Sequence, residues 1–289
     1  MKIGSLCTGY GGLDMAVEAY FDAEMVWCAE NDKKASQLIA QRFNKPNYGD
    51  IKQIDWNTVE PIDILTAGYP CQPFSHAGHR KGTQDERHIW PYIIKAISTL
   101  RPKVVVLENV RGHLSLGFKE VLKDLAENGY DARWRVVRAS DIGAPHQRAR
   151  LFIIAYPTSI GQSSRIACRC ETTLTSTTND GCATNTHSDT CQESRRTTTS
   201  LRVQGGRLRN GQNQGKTGNE YRFSLQMDRQ EIPHTLDQDR LNVKFVEYMM
   251  GLPVGWVTDL DLSRANKLKM LGNGVVPQQA YYALELLHG

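Results

Sequence analysis

No run in this chain approaches the roughly 18 consecutive apolar residues that a membrane-spanning helix requires, and no basic opening leads into the short apolar core of a signal peptide. Both absences argue against a membrane partner, so a soluble, cytoplasmic protein is expected. Regular disulfide spacing is missing as well. The seven cysteines are odd in number, and Cys7, Cys28 and Cys71 sit in apolar or motif-like surroundings that suit reduced thiols. Nor is there any paired C-x2-C knuckle. Cys168, Cys170, Cys182, His187 and Cys191 could still offer zinc ligands, but their gaps of one, eleven, four and three residues are irregular, and no metal is expected.

Net charge is absent from most of the chain. Of 35 Lys and Arg and 31 Asp and Glu, residues 157–222 hold nine and five, leaving 26 of each elsewhere. The whole excess of +4 therefore lies in one segment. Residues 158–218 are also rich in Thr, Ser, Gly, Asn, Gln and Arg, with scattered Ile, Leu and Val. Such a stretch buries little apolar surface and reads as a loop-rich subdomain or a partly disordered insertion. The remaining length suffices for one substantial domain, with a smaller second one.

What is present is a rhythm. "KIGSLC", "EMVWCAE", "IDILTAG", "KVVVLENV", "ARWRVVRA" and "ARLFIIAY" are short β-branched or apolar runs. Helix-like stretches such as "GGLDMAVEAYF", "DKKASQLIAQRF", "HIWPYIIKAISTL" and "GFKEVLKDLAENG" lie between several of them. Alternation of this kind predicts crossover units, a mainly parallel sheet and a Rossmann-like α/β domain. Ligands of such sheets bind beyond the carboxyl ends of the strands. Residues just after each run are therefore the candidates.

The first run ends in "CTGYGGLD", where Gly9, Gly11 and Gly12 would let the backbone pass close to a ligand. A dinucleotide fingerprint would carry a third glycine where Asp14 stands. The second run ends at Glu30, placed to accept both hydroxyls of a ribose. "YGDI" offers Asp50 to an exocyclic amine. A glycine turn without a phosphate clamp, a ribose acid and an amine acceptor suit an adenosine without phosphates. The alternative is a solvated helix start in "ENDKK", with Asp32 as its cap.

Pro70 and Pro73 restrict the backbone around Cys71, so this thiol is presented rather than packed. The bland fate of a free cysteine, a small buried hydrophobe, suits Cys28 better. "VVVLENV" delivers Glu108 to the same sheet edge. Burial there would raise its pKa and let it donate a proton near neutral pH, unless it is a capping or salt-bridged acid. Arg148 and Arg150 stand two apart in "QRARLF", on one side of a strand if it has begun, where they would bind an anion or polarise a carbonyl.

In this order "GYPCQPFS", "LENVRG", "QRARLFIIA" and "LGNGVVPQQ" resemble the DNA (cytosine-5)-methyltransferase family of bacterial or phage type. "SLCTGYGGLDMAVE" resembles its S-adenosylmethionine loop, "AEND" and "YGDI" its ribose and adenine contacts, and "RLNVKFVEYMMGLPVGW" the segment before its final motif. The likeness covers residues 3–156 and 240–287. It implies S-adenosylmethionine as cofactor, with S-adenosylhomocysteine as product, and double-stranded DNA as partner. Residues 1–156 with 266–289 would form the catalytic and cofactor-binding domain, and 157–265 the target-recognition domain. It further implies Cys71 as the nucleophile at carbon 6 of a flipped-out cytosine and Glu108 as the acid at nitrogen 3. Arg148 would hold the cytosine carbonyl, with Arg150 in support. Cys7, Thr8, Gly9, Gly11, Gly12, Glu30, Asn31, Asp50, Ile51, Gly68, Pro70 and Asn273 would surround the cofactor, although "GNG" also reads as a plain turn.

This sequence departs from the family pattern at His146, where glutamine is usual, at Asn31, where an aromatic is common, and at Lys244, where arginine is common. The implied protein works as a monomer, in some cases beside a restriction endonuclease. Arg195, Arg196, Arg202, Arg207 and Arg209 are the candidates for phosphate contacts. The rival expectations are a tRNA methyltransferase built on similar motifs, and a non-catalytic DNA-binding regulator, against which Cys71, Glu108 and Arg148 all count.

Overall fold

Consecutive rather than alternating apolar residues mark the central strands, because both faces of a parallel sheet are covered. In the computed structural model, which describes residues 1–70, 89–158 and 232–288, this rule is visible within a single strand. Val105 and Leu107 enter one core and Val104 and Val106 the other. Cys71, the Cys168–His187–Cys191 group with Cys170 and Cys182, and the five candidate arginines from Arg195 to Arg209 lie outside the described residues.

Six strands form the sheet: β1 (Lys2–Leu6), β2 (Glu24–Ala29), β3 (Ile64–Gly68), β4 (Val104–Val110), β5 (Tyr130–Val137) and β6 (Arg150–Pro157). Their order is β2-β1-β3-β4-β6-β5. The first four are parallel, and β6 runs antiparallel to both β4 and β5. The α/β, Rossmann-like expectation of a mainly parallel sheet is met, and five of the six strands match the quoted runs closely.

One face of the sheet is covered by α3 (Trp90–Leu100) and α4 (Phe118–Glu127), through Ile93, Ile97, Val121 and Leu125. The other is covered by α1 (Gly12–Phe21) and the C-terminal α7 (Pro277–His288), through Leu13, Val17, Ala283 and Leu284. A third core joins Tyr10, Met15 and Leu38, the last from α2 (Lys33–Arg42), to Met250, Trp256, Val257 and Leu271. These later residues flank or belong to α5 (Val243–Met249) and α6 (Arg264–Asn273). A short hairpin, β7 (Leu236–Asp237) with β8 (Arg240–Leu241), precedes them. Buried Glu247 ties the 255–258 turn down, accepting from the backbone N–H groups of Gly255, Val257 and Thr258. All described residues belong to one compact unit. None of their helices is long and apolar enough to cross a membrane.

The chain reverses its direction of travel across the sheet at β1, with β2 on one side and β3 on the other. Beyond the carboxyl ends of β1 and β3 the sheet therefore opens a crevice. The turn after β1 makes it accessible. Gly11 adopts φ 82° as the N-cap of α1, a left-handed conformation that glycine tolerates at little cost.

Candidate active site at the strand ends

A cavity of about 660 Å³ occupies this crevice. Cys7, Thr8, Gly9 and Gly12 line it from the turn after β1, and Glu30 and Asn31 from the end of β2. Asp50 and Ile51, Gly68 and Pro70, and Asn273 complete the cofactor group expected from sequence. Glu108 and Arg150 line it as well. Two expected residues stand apart. Gly11 faces the Phe43 ring, where a side chain would collide, and Arg148 does not line the cavity.

Glu30 is buried at the β2 end. Its Oε2 accepts the Gly9 N–H at 2.9 Å and its Oε1 the Asp32 N–H at 2.8 Å. Burial raises its pKa, against the pull of those two donors. Asn47 fixes the strand end from behind, bonding both the N–H and the carbonyl of Glu30. Asp32 caps α2 through Lys34 and Ala35, and Glu30 lines the cavity. Cys7 is a poor nucleophile, because burial, aided by Glu30 and Asp50, pushes its thiol up to about 12.

Glu108 lies at the other end, only 6 % exposed. Burial pushes its carboxyl up to about 7, against the attraction of Arg150 and then Arg148. Its Oε1 meets Arg150 Nε at 3.0 Å. Glu108 is thus a salt-bridged acid whose carboxyl burial lifts above the usual carboxylate range. The two arginines do not share a side of a strand, because β6 begins at Arg150 and Arg148 precedes it with φ 35°. The left-handed residue breaks the period of two and turns Arg148 toward α6. Its Nη2 donates to the carbonyls of Gly272 and Gly274 at 2.7 and 2.6 Å.

Three features escaped the sequence reading. Asp14, which stands where a dinucleotide fingerprint has glycine, is buried in the cavity wall and accepts the Thr66 hydroxyl at 2.5 Å. Burial raises it to about 6, although Thr66 and Ser5 favour its charged form. Tyr69 is pinned at two points: its carbonyl accepts from Asn109 and its hydroxyl meets His113 Nε2 at 3.0 Å, both buried. On the rim, Lys34 donates to Asn266 at 2.8 Å. Asp14 alone carried a signal, its substitution for glycine. Of the departures from the family pattern, His146 bonds the Met249 carbonyl at 2.8 Å and so braces α5, and Asn31 is exposed at the cavity. Among the described residues no cluster of His, Cys, Asp and Glu could hold a metal ion.

The sequence model of the C-5 cytosine-specific DNA methylase family matches residues 1–287. Over 164 residues the chain is 36% identical to Type II methyltransferase M.Bsp6I of Bacillus sp. (strain RFL6), covering 54% of this chain and 52% of that protein. It is also 36% identical over 161 residues to Type II methyltransferase M.HhaI of Haemophilus parahaemolyticus, covering 54% and 49%. The chain thus spans about half the length of the curated relatives it matches. The crystal structure of the S. pombe Dnmt2 methyltransferase shares the fold, with a TM-score of 0.61 at 17% identity over 99% of both chains.

Proposed function

Because this chain belongs to the C-5 cytosine-specific DNA methylase family, we propose that it transfers a methyl group from S-adenosylmethionine to carbon 5 of a cytosine in a specific double-stranded DNA sequence. The observation that carries the reading is one cavity with two chemically different ends. A carboxylate with spare acceptor capacity lies at one, and a buried acid paired with a guanidinium at the other.

The first end fits the cofactor's adenosine. Each oxygen of Glu30 accepts one backbone N–H and keeps a lone-pair site for a ribose hydroxyl. Asp50 accepts from the Lys52 N–H through Oδ1 and retains capacity for an exocyclic amine. Gly9, Gly12 and Gly68 keep the walls free of side chains. When bound, S-adenosylmethionine supplies an electrophilic methyl group and is left as S-adenosylhomocysteine.

The second end fits the base, which must leave the duplex stack to reach it, at roughly a few kcal/mol. Glu108 donates its proton to nitrogen 3. The thiolate of Cys71, one residue beyond Pro70 at the cavity edge, forms a bond to carbon 6 and makes carbon 5 nucleophilic. After methylation a water molecule takes the proton from carbon 5, the electron pair left behind re-forms the carbon 5–carbon 6 double bond and expels the thiolate, and Glu108 recovers its proton from nitrogen 3. The ion pair with Glu108 favours Arg150, rather than Arg148, for the cytosine carbonyl. Recognition falls to residues 157–265, whose described part from 243 onward braces the catalytic core of residues 1–156 and 266–289. The enzyme acts as a cytoplasmic monomer, in a restriction–modification setting.

Two outcomes follow for the titrating ends. Glu30→Ala should weaken S-adenosylmethionine binding by about 1.5–3 kcal/mol, the scale of a charge-assisted hydrogen bond; an unchanged dissociation constant by calorimetry removes this carboxylate from the ribose site. Glu108, with its carboxyl near 7 in the fold against 4.5 ordinarily, keeps a proton that the unfolded chain releases. Its contribution to stability is complete below pH 4.5 and is lost as pH rises through about 7. Relative to wild type, Glu108→Gln should therefore gain on the order of 2–3 kcal/mol between about pH 5 and 7.5 in urea titrations, while losing activity. Parallel pH profiles would show Glu108 already ionised. The function itself is tested by transfer of labelled methyl groups to duplex DNA and to tRNA. Incorporation into duplex DNA is expected, and labelling of tRNA alone would move the protein to the RNA-modifying branch.

A further inference from the structure

Arg148 is held from one side and holds the other. Its carbonyl accepts the Gln279 Nε2 at 2.8 Å, and the same amide also donates to the Val137 carbonyl. This anchorage from α7 maintains the left-handed backbone at Arg148, a conformation that is strained for a residue with a side chain. The guanidinium then spans the two carbonyls on either side of Asn273. Asn273 lines the cavity and Arg148 does not.

The segment so clamped is packed directly onto the cofactor turn. The Tyr10 hydroxyl donates to the Val275 carbonyl at 2.6 Å. Gly274 lies against the Tyr10 ring and Gly12 against the Val275 carbonyl, both too close to admit a Cβ. A shift of residues 272–275 toward the turn would press on Tyr10 or Gly12. Tyr10 also accepts the Trp256 Nε1–H on its carbonyl, so the turn is fixed from two sides.

We propose that Arg148 is a positioning residue for cofactor binding, acting through the Gly272, Asn273 and Gly274 backbone. The proposal rests on the reading of the cavity's Glu30 end as the cofactor site. Loss of the guanidinium removes the donor shared by the Gly272 and Gly274 carbonyls and frees the segment that fixes the glycine turn. The defect therefore belongs to cofactor affinity rather than to the chemical step.

The test measures S-adenosylhomocysteine affinity by calorimetry and initial rates at rising S-adenosylmethionine, on the full chain. Arg148→Ala should weaken affinity about tenfold, the scale of one to two hydrogen bonds, and raise KM alike, with most of kcat recovered at saturating cofactor. Arg148→Lys, whose ammonium reaches one carbonyl, should fall between Arg148→Ala and wild type. Arg150→Ala should show the reverse pattern, a lost kcat with affinity retained. If Arg148→Ala fails to fold in a thermal melt, Arg148→Lys decides alone. An unchanged affinity for the folded Arg148 variants, with or without a loss of kcat, overturns the proposal. Glu30→Ala serves as control: if it too leaves affinity unchanged, the cofactor reading of the cavity fails first.

Discussion

Cys71→Ser is expected to abolish methyl transfer while leaving S-adenosylmethionine affinity unchanged. The step at carbon 6 needs a nucleophile that is both strong and able to leave. An unperturbed thiol of pKa near 8.5 is already a few per cent thiolate at about pH 7, whereas a serine hydroxyl is essentially un-ionised. Cys7 cannot substitute, since its thiol is held near 12 by burial. A duplex with fluorine at carbon 5 of the target should trap a covalent adduct on Cys71, because no proton can leave that carbon to release the thiolate. Turnover by Cys71→Ser near the wild-type rate would assign the chemistry to another residue.

Replacing residues 161–218 with a short Gly/Ser linker should have an effect as large on a different observable. Site-specific methylation should disappear while cofactor affinity stays, because Glu30, Asp50 and the glycine turn lie wholly outside the exchanged segment. This segment lies within the region that contains the chain's excess positive charge. Binding through it should also show the steep salt dependence of phosphate contacts, with log K falling by about 0.9 per phosphate neutralised for each tenfold rise in salt. Methylation of the same sites at the same rate would make the segment a solvated insertion with no part in recognition.

Much of the fold is legible from local pattern, and the misses have physical causes. The runs that carry Gly68 and Glu108, and the one that Glu30 follows, are strands because short apolar stretches must be buried on both faces, and parallel because helix-length stretches follow. The antiparallel β6 follows a different connection: between Val137 and Arg150 there is only the short 3-10 turn Ala139–Ile142 and no α-helix to cross the sheet. The pairing of Arg148 with Arg150 by a period of two fails because the strand starts one residue after Ala149, behind a left-handed turn. That conformation depends on Gln279, 131 residues away, and no local signal encodes it. Asp14 is similar, since its partner Thr66 lies 52 residues on. In the C-terminal segment part of the apolar core comes from the turn residues Trp256 and Val257 rather than from helix faces, and polar clamps hold that turn, Glu247 on the Gly255 N–H and Arg42 on the carbonyls of Gly255 and Trp256. Motif resemblance located this segment; hydrophobic pattern did not.

The central claim is cytosine-5 methylation of DNA through the thiol of Cys71. It is tested most directly by sequencing 5-methylcytosine across the DNA of cells that express the protein and, in parallel, its Cys71→Ser variant. The account predicts methylated cytosines at one recurring short sequence with the wild type and none above background with the variant. Absence of 5-methylcytosine with the wild type, or the same methylated sites with both proteins, would contradict it.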